Sequence, residues 1–277
     1  MSAIPGVDLL DGTYELFRQF YGRRRGGPDT PMGAATGVLH SILEMLERDS
    51  THIGVSTDHV IESFRNDLWP TYKTGDGVDR RLLAQFEPLE TGLAAMGVLV
   101  WPMVEQEADD GLAAAARICA GAGVAQVRIW TPDKDLAQCV GGPVVQVDRR
   151  AGEVRDAAAV RAKFGVDPER IPDFLALVGD SADGYPGIAG IGKVTAARLI
   201  TVHGPLEQFP PEVLSGRNRE LALLFKDLAT LRTDAPLFAS PDELRWRGPQ
   251  PEFPAWAADA GDARLAERAA AAAAVLA

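Results

Sequence analysis

Between residues 4 and 148, short apolar, β-branched runs alternate with helical patterns, and acidic residues gather at the ends of those runs. Strand signals fall at about 4–10 (IPGVDLL), 52–57 (HIGVST), 97–103 (GVLVWPM), 124–131 (VAQVRIWT) and 143–148 (PVVQVD). Helical patterns occupy about 13–24, 31–48, 82–96 and 108–121. This alternation predicts an α/β fold with a parallel-rich sheet covered by helices on its faces. From about 151 strand signals stop, and helical patterns broken by Gly and Pro run to about 235. The stretch 236–277 opens proline-rich and ends AERAAAAAAVLA, which predicts an Ala-rich helix with no chemistry assigned to it.

The acids follow the strands. Asp11 comes after IPGVDLL, Asp58 after HIGVST, Glu107, Asp109 and Asp110 after GVLVWPM, and Asp133 and Asp135 after VAQVRIW. Open α/β sheets bind ligands at that edge. One acid there is ordinary turn or capping chemistry; four strands in succession are hard to explain by capping alone. Crowded carboxylates repel one another and take up protons unless cations compensate. Oxygen donors with no nearby Cys or His select hard ions, Mg²⁺ or Mn²⁺, over zinc. Two such ions about 4 Å apart serve phosphoryl chemistry. Asp180 and Asp183, in GDSAD, would complete the cluster from the helical region.

The stretch FLALVGDSADGYPGIAGIGKVTAARLI at 174–200 tests a rival idea, a nucleotide-binding P-loop. Gly187, Gly192 and Lys193 fall in register with G-x-x-x-x-G-K-[ST], but Val194 stands where a hydroxyl is needed and Thr195 comes one place late. A turn and two acids, not a buried strand, precede it, so that idea fails. PGIAGIG instead has the sequence of a helix–hairpin–helix turn. Its glycines let backbone approach a phosphate, and amides at the next helix start face it without base specificity.

Composition sets bounds. The net charge of −11 over 277 residues argues against a uniformly basic nucleic-acid surface, but a metal site that gathers the acids weakens that objection. No apolar run reaches the roughly 18 residues needed to span a membrane, and MSAIPGVDLLDG lacks the order of a secretion signal. Cys119 and Cys139 have no metal-type spacing and fit reduced, buried thiols, so a cytoplasmic location is expected. Residues 62–88 are long for a crossover and carry Arg65, Tyr72, Lys73, Arg80 and Arg81, which suits a lid or binding loop.

Taken together, the motifs LLDGTYELFRQFYG, TDHVIESFRNDLWPTYK, EQEADDGLAAAA, TPDKDLAQCV, KFGVDPERIPDFLALVGDSADGYPGIAGIGKVTA and LATLRTDAPL resemble the 5′ nuclease family over roughly residues 5–236. That family comprises 5′-3′ exonucleases, flap endonucleases and the N-terminal nuclease domain of bacterial DNA polymerase I. The resemblance implies a PIN-like core at 1–168 with a helical arch at 62–88, a helix–three-turn–helix DNA-binding region at 169–236, and a tail at 237–277. It implies one metal site drawing on Asp11, Asp58, Glu107 and Asp109, and a second on Asp133, Asp135 and Asp183 with Asp109 near both. Asp110 and Asp180 would act through water or behind the ligands. Lys73 matches the family's catalytic lysine, and Arg18 and Arg65 match basic positions near the scissile phosphate. Phe17 takes an aromatic slot on which a terminal base stacks, and Gly187, Gly190 and Gly192 would bind K⁺ through their carbonyls. Phe17 equally fits a core place at helical spacing, and Arg18 and Arg65 equally fit surface ion pairs.

Two positions depart from the family pattern. Asp76 stands where the family places an arginine, and GKVTA moves the hairpin lysine one place earlier, to Lys193, which turns its side chain by ~100°. The expected protein is a monomeric, metal-dependent nuclease that cleaves DNA flaps, 5′ ends or RNA primers. A branched-DNA-binding protein without turnover is the alternative. A PIN-type ribonuclease toxin shares the acids but lacks a hairpin such as GIAGIG.

Overall fold

The computed structural model describes residues 4–23 and 30–275, and its organising element is a six-stranded sheet. The strands are β1 (Val7–Asp11), β2 (Ile53–Asp58), β3 (Leu99–Met103), β4 (Val127–Trp130), β5 (Val144–Asp148) and β6 (Glu153–Arg155). They lie in the order β3-β2-β1-β4-β5-β6, parallel from β3 through β5, with β6 antiparallel at the edge. The chain builds outward from β1 through β2 to β3, then returns to the other side of β1 to lay down β4. The topological switch point therefore lies between the carboxyl ends of β1 and β4, where such sheets open a crevice.

Every residue of β1 and β2 is buried, as in a parallel sheet covered on both faces. Side chains alternate between two layers. Leu10, Ile53 and Val55 face α1 (Gly12–Arg23), α2 (Gly33–Arg48) and α5 (Phe86–Ala95); Val7, Leu9, Val127 and Ile129 face α6 (Ala108–Gly121). A third core joins α7 (Ala157–Phe164), α8 (Ile171–Val178), α9 (Lys193–His203) and α10 (Gly216–Ala229), through residues such as Phe174, Ile200 and Phe225.

Several expectations are refined. All five expected strands form, but Asp11 and Asp58 are the last residues of β1 and β2 rather than following them. Strand structure does not stop at 151: β6 was missed because three residues carry no period, and its pairing with β5 (Val147 opposite Val154) is what defines it. The helix expected at 13–24 forms over Gly12–Arg23, and Arg24 lies outside the described residues. The helix expected at 82–96 is split into α4 (Arg80–Leu83) and α5, and at the break the buried Gln85 side-chain Oε1 accepts the amides of Ala34 and Ala35 at the start of α2. The 62–88 segment contains α3 (Phe64–Leu68) and α4, joined by turns.

The C-terminal stretch is part of the first core. After Trp246, whose indole N–H donates to the Met96 carbonyl at 2.8 Å, α11 (Phe253–Asp259) and α12 (Arg264–Ala274) pack on α5 and α2. Phe253, Ala257, Leu265 and Ala269 are fully buried there, and Arg268 pairs with Glu47 at 2.7 Å. No described helix is long and apolar enough to cross a membrane. Leu265→Ala is expected to destabilise the chain by ~2–5 kcal/mol in urea unfolding, the cost of a core leucine; an unchanged midpoint would contradict this docking.

Candidate metal centre and nucleic-acid interface

At the switch point, Asp11 Oδ1 accepts the Tyr14 amide at 2.8 Å, and Oδ2 accepts the Thr131 hydroxyl at 2.9 Å, which ties β1 to the loop after β4. Asp58 Oδ1 accepts the Ala108 amide at 2.7 Å, a carboxylate at the N-terminus of α6. The first turn of that helix carries Asp109 and Asp110, with Glu107 just before it. After β4, Asp133 Oδ1 accepts the Asp135 amide at 2.9 Å, so the two acids share one tight turn. Asp180 and Asp183 arrive on the loop after α8, which is closed by reciprocal backbone bonds between Asp180 and Tyr185 at 2.9 and 3.0 Å.

These elements converge. Asp109, Asp133 and Asp135 form one group, and Asp135, Asp180 and Asp183 a second, each with one carboxylate oxygen per residue within 4.8 Å of the others. The shared member is therefore Asp135, where the sequence reading put Asp109 near both sites. Among the described residues Asp11, Asp58 and Glu107 do not close to that spacing. Asp58 is committed to α6, and Glu107 accepts Ser63 Oγ at 2.7 Å and pairs with Lys73 and Arg65.

The donor set fits a divalent cation. All the donors are carboxylate oxygens, which suit hard ions, and the buried Asp135 Oδ1 has no hydrogen-bond partner. Burial, then the charge of Asp133, holds the carboxyls of Asp109 and Asp135 well above the usual carboxylate range. Burial likewise pushes Asp183 to about 6 and Asp11 to about 7, with Asp58 adding repulsion at Asp11. Burial pushes Asp58 up as well.

Lys73 lies over this cluster, with Nζ 2.7 Å from Glu107 Oε2 and 3.5 Å from Asp183 Oδ1. Burial opposes its charge, but the carboxylates of Glu107 and Asp183 outweigh that and raise its pKa well above the ordinary value, so it stays an ammonium. Burial would raise Glu107 too; Lys73 and Arg65 bring it below its usual range.

Arg65 and Tyr72 sit elsewhere than expected. Arg65 is only 1% exposed and forms a bidentate pair with Asp110 at 2.7 and 2.8 Å. Its Nε donates to the Leu228 carbonyl at 2.7 Å. It is neither a surface ion pair nor open to a phosphate. Asp110, fully buried, also accepts the amides of Glu107 and Arg232 and has no freedom left for a ligand. Tyr72 is buried in the third core with its hydroxyl 3.4 Å from Glu107 Oε2, so a DNA contact is closed to it.

The remaining residues lie around the site. Arg18 pairs with the buried Glu15 and lines a cavity of about 850 Å³ with Phe17, Arg149 and Arg150. Phe17 is half-buried, packing against the first core and 6.4 Å from the Phe86 ring. Arg80 and Arg81 are exposed, and Arg81 pairs with Asp79 at 2.9 Å. Gly190, Gly192 and Lys193 are exposed on the hairpin and Thr195 is half-buried, but Gly187 is buried: a Cβ there would lie 2.4 Å from the Gly179 amide nitrogen. Its absent side chain lets the turn pack on the end of α8. Lys134, which forms an ion pair with Asp180, went unassigned, although its place between two acids in TPDKD was a signal.

Residues 7–165 match the family model for the N-terminal resolvase-like domain of 5′-3′ exonucleases, and 166–252 match that for their C-terminal SAM fold. The chain belongs to the 5′-3′ exonuclease family. It is 35% identical over 273 residues to DNA polymerase I of Pseudomonas aeruginosa, covering 91% of this chain and 30% of that one. It therefore spans under a third of that relative's length. A 5′-3′ exonuclease of Aquifex aeolicus is 29% identical over 252 residues, with 87% of this chain and 86% of that one covered. The T5 5′-exonuclease with bound divalent zinc ions superposes at a TM-score of 0.64 and 15% identity, over 95% of this chain and 96% of that one, which shows a shared fold.

Two measurements follow from the charge arrangement. Asp183 and Asp11 titrate at about 6 and 7 when folded, against an ordinary 3.8, so the native chain holds protons that the unfolded chain has released. Stability in chelator therefore falls as pH rises from roughly 4 to 7. Mg²⁺ at about 100 times its Kd at about pH 8 should restore ~2.7 kcal/mol, and the same concentration should restore less at about pH 5.5, read as melting temperature. Separately, Asp110→Ala removes the bidentate partner of the buried Arg65 charge, leaving only Glu107 at 3.5 Å, and should cost ~3–5 kcal/mol of stability.

Proposed function

We propose that the chain is a structure-specific 5′ nuclease that hydrolyses DNA phosphodiesters at flaps or 5′ ends, RNA primers included, in replication and repair. The carrying observation is a pair of carboxylate groups sharing Asp135 at the switch point, with the Lys73 ammonium over them, in a chain of the 5′-3′ exonuclease family. The all-oxygen donor set supports Mg²⁺ or Mn²⁺ as the working ions. When bound, such a pair supplies activation of water and neutralisation of the leaving oxygen of an in-line displacement.

Asp109, Asp133, Asp135, Asp180 and Asp183 hold the ions in this reading, with Asp11 and Asp58 beside them at the ends of β1 and β2 and Glu107 at the start of α6. Lys73 stays charged and donates hydrogen bonds to the scissile phosphate, leaving a 5′-phosphate product. Arg65 acts from beneath, fixing Asp110 and through it the first turn of α6. The duplex is gripped by the hairpin: Gly192 begins α9 with no side-chain cap, which leaves backbone amides beside the exposed Lys193 for a phosphate. The glycine turn over 187–192 also supports a K⁺ site built from backbone carbonyls. Arg18, Phe17, Arg80 and Arg81 are the further DNA contacts in this reading. Two free cysteines, Cys119 and Cys139, fit work in a reducing cytoplasm.

A 5′-labelled flap incubated with Mg²⁺ or Mn²⁺ should be cut, and the Asp133→Ala, Asp135→Ala double variant should leave it intact. An uncut flap that is nonetheless bound tightly would make the chain a branched-DNA-binding protein instead. Lys73→Ala should lower kcat by ~100-fold while flap affinity stays within a few-fold; a loss confined to affinity would remove Lys73 from the chemistry.

A further inference from the structure

Lysine is a poor instrument for placing a charge, because its four-carbon stem has many rotamers to lose. The backbone that carries Lys73 has no regular structure to hold it either. Trp69 ends α3 in an extended conformation, and residues 70–73 run through turns. Something outside this stretch must set where the ammonium lies.

That anchor is the loop of the second carboxylate group. The Gly184 carbonyl accepts the Trp69 indole N–H at 3.1 Å and the Thr71 hydroxyl at 2.9 Å, so both its lone pairs are used. One residue earlier in that loop, the Asp183 carbonyl accepts the Lys73 amide at 3.0 Å. Asn66 completes the frame by donating to the Lys73 carbonyl at 3.0 Å. The Trp69 ring is itself held edge-on to Phe225 at 5.1 Å, and Phe225 stacks on Tyr185 at 5.4 Å. Gly184 has φ +83°, and a Cβ on it would lie 1.9 Å from the Thr71 carbonyl oxygen. A side chain there would force residues 69–73 off the loop.

We propose that Gly184, with Trp69 and Thr71, is the positioning element for Lys73, so that the lysine is built onto the Asp180–Tyr185 loop before any substrate arrives. This rests on the reading of Lys73 given above. Residues 74–88 then bear on strand capture, and their order does not decide where the ammonium lies. None of the three residues touches the reacting atoms; each acts through the lysine.

The test uses the full chain carrying Trp69→Phe, Thr71→Val and both together. Phe keeps an aromatic ring against Phe225 while losing the N–H together with the second ring of the indole, and Thr71 is exposed, so the fold tolerates both changes. Each single change should lower single-turnover kcat by about fivefold and the pair by about twentyfold. KM, and flap affinity measured in chelator, should stay within twofold, and Thr71→Ser should return kcat to within twofold of the parent. Amide hydrogen exchange supplies a readout independent of turnover: the Lys73 amide should exchange at least about tenfold faster in the double variant. Full kcat in the double variant, a loss lying wholly in KM, or unchanged Lys73 exchange would each overturn the proposal. If the parent chain cuts no flap while Lys73 protection still collapses in the double variant, the anchor stands and the nuclease reading falls.

Discussion

Like-charge repulsion at one edge of a sheet governs the architecture around the site. Asp109, Asp133, Asp135, Asp180 and Asp183 are brought together by three separate pieces of chain, the first turn of α6, the turn after β4 and the loop after α8. Nothing in local propensity favours that meeting, and burial makes it worse by raising the cost of each negative charge. The protein meets the cost in two ways. Where an acid is structural, a fixed cation neutralises it, as Arg65 does for Asp110. Where it is left without one, as at Asp135, an orphaned oxygen marks a place for an ion.

The division between structural and available acids explains what the sequence could and could not reveal. Strand runs, their order and the acids behind them were legible, because period and polarity are local properties. The hairpin glycines were legible as a turn. What stayed hidden was depth. FRNDLWPTYK places Arg65, Tyr72 and Lys73 on one apparent binding segment, yet two of these are buried and the third faces the acids. No one-dimensional pattern separates an arginine that meets solvent from one that meets Asp110, since the partner lies 45 residues away along the chain. The close approach of Gly187 to Gly179 was hidden for the same reason. β6 was invisible because only β5 makes it a strand.

Family membership and geometry carry different parts of the conclusion. The matched models cover residues 7–252 and supply the class of chemistry. The geometry supplies the roles within it, and it reassigns some: Asp135 bridges the two groups, Asp180 joins the second of them, and Arg65 turns from a phosphate contact into a strut beneath α6. The departures at Asp76 and Lys193 both fall on exposed positions, and neither belongs to the two carboxylate groups.

The docking of α12 has a temporal side. Leu265 and Ala269 fill the same core as Leu16 and Leu39, contacts that span most of the chain. During synthesis the ribosome releases the N-terminal half seconds before the segment that closes it, at the usual 5–20 residues per second. Until then the outer surfaces of α2 and α5 are bare apolar ground. Such long-range closure slows folding, and the nascent chain passes through a stage in which chaperone binding or premature association competes with the arrival of α11 and α12.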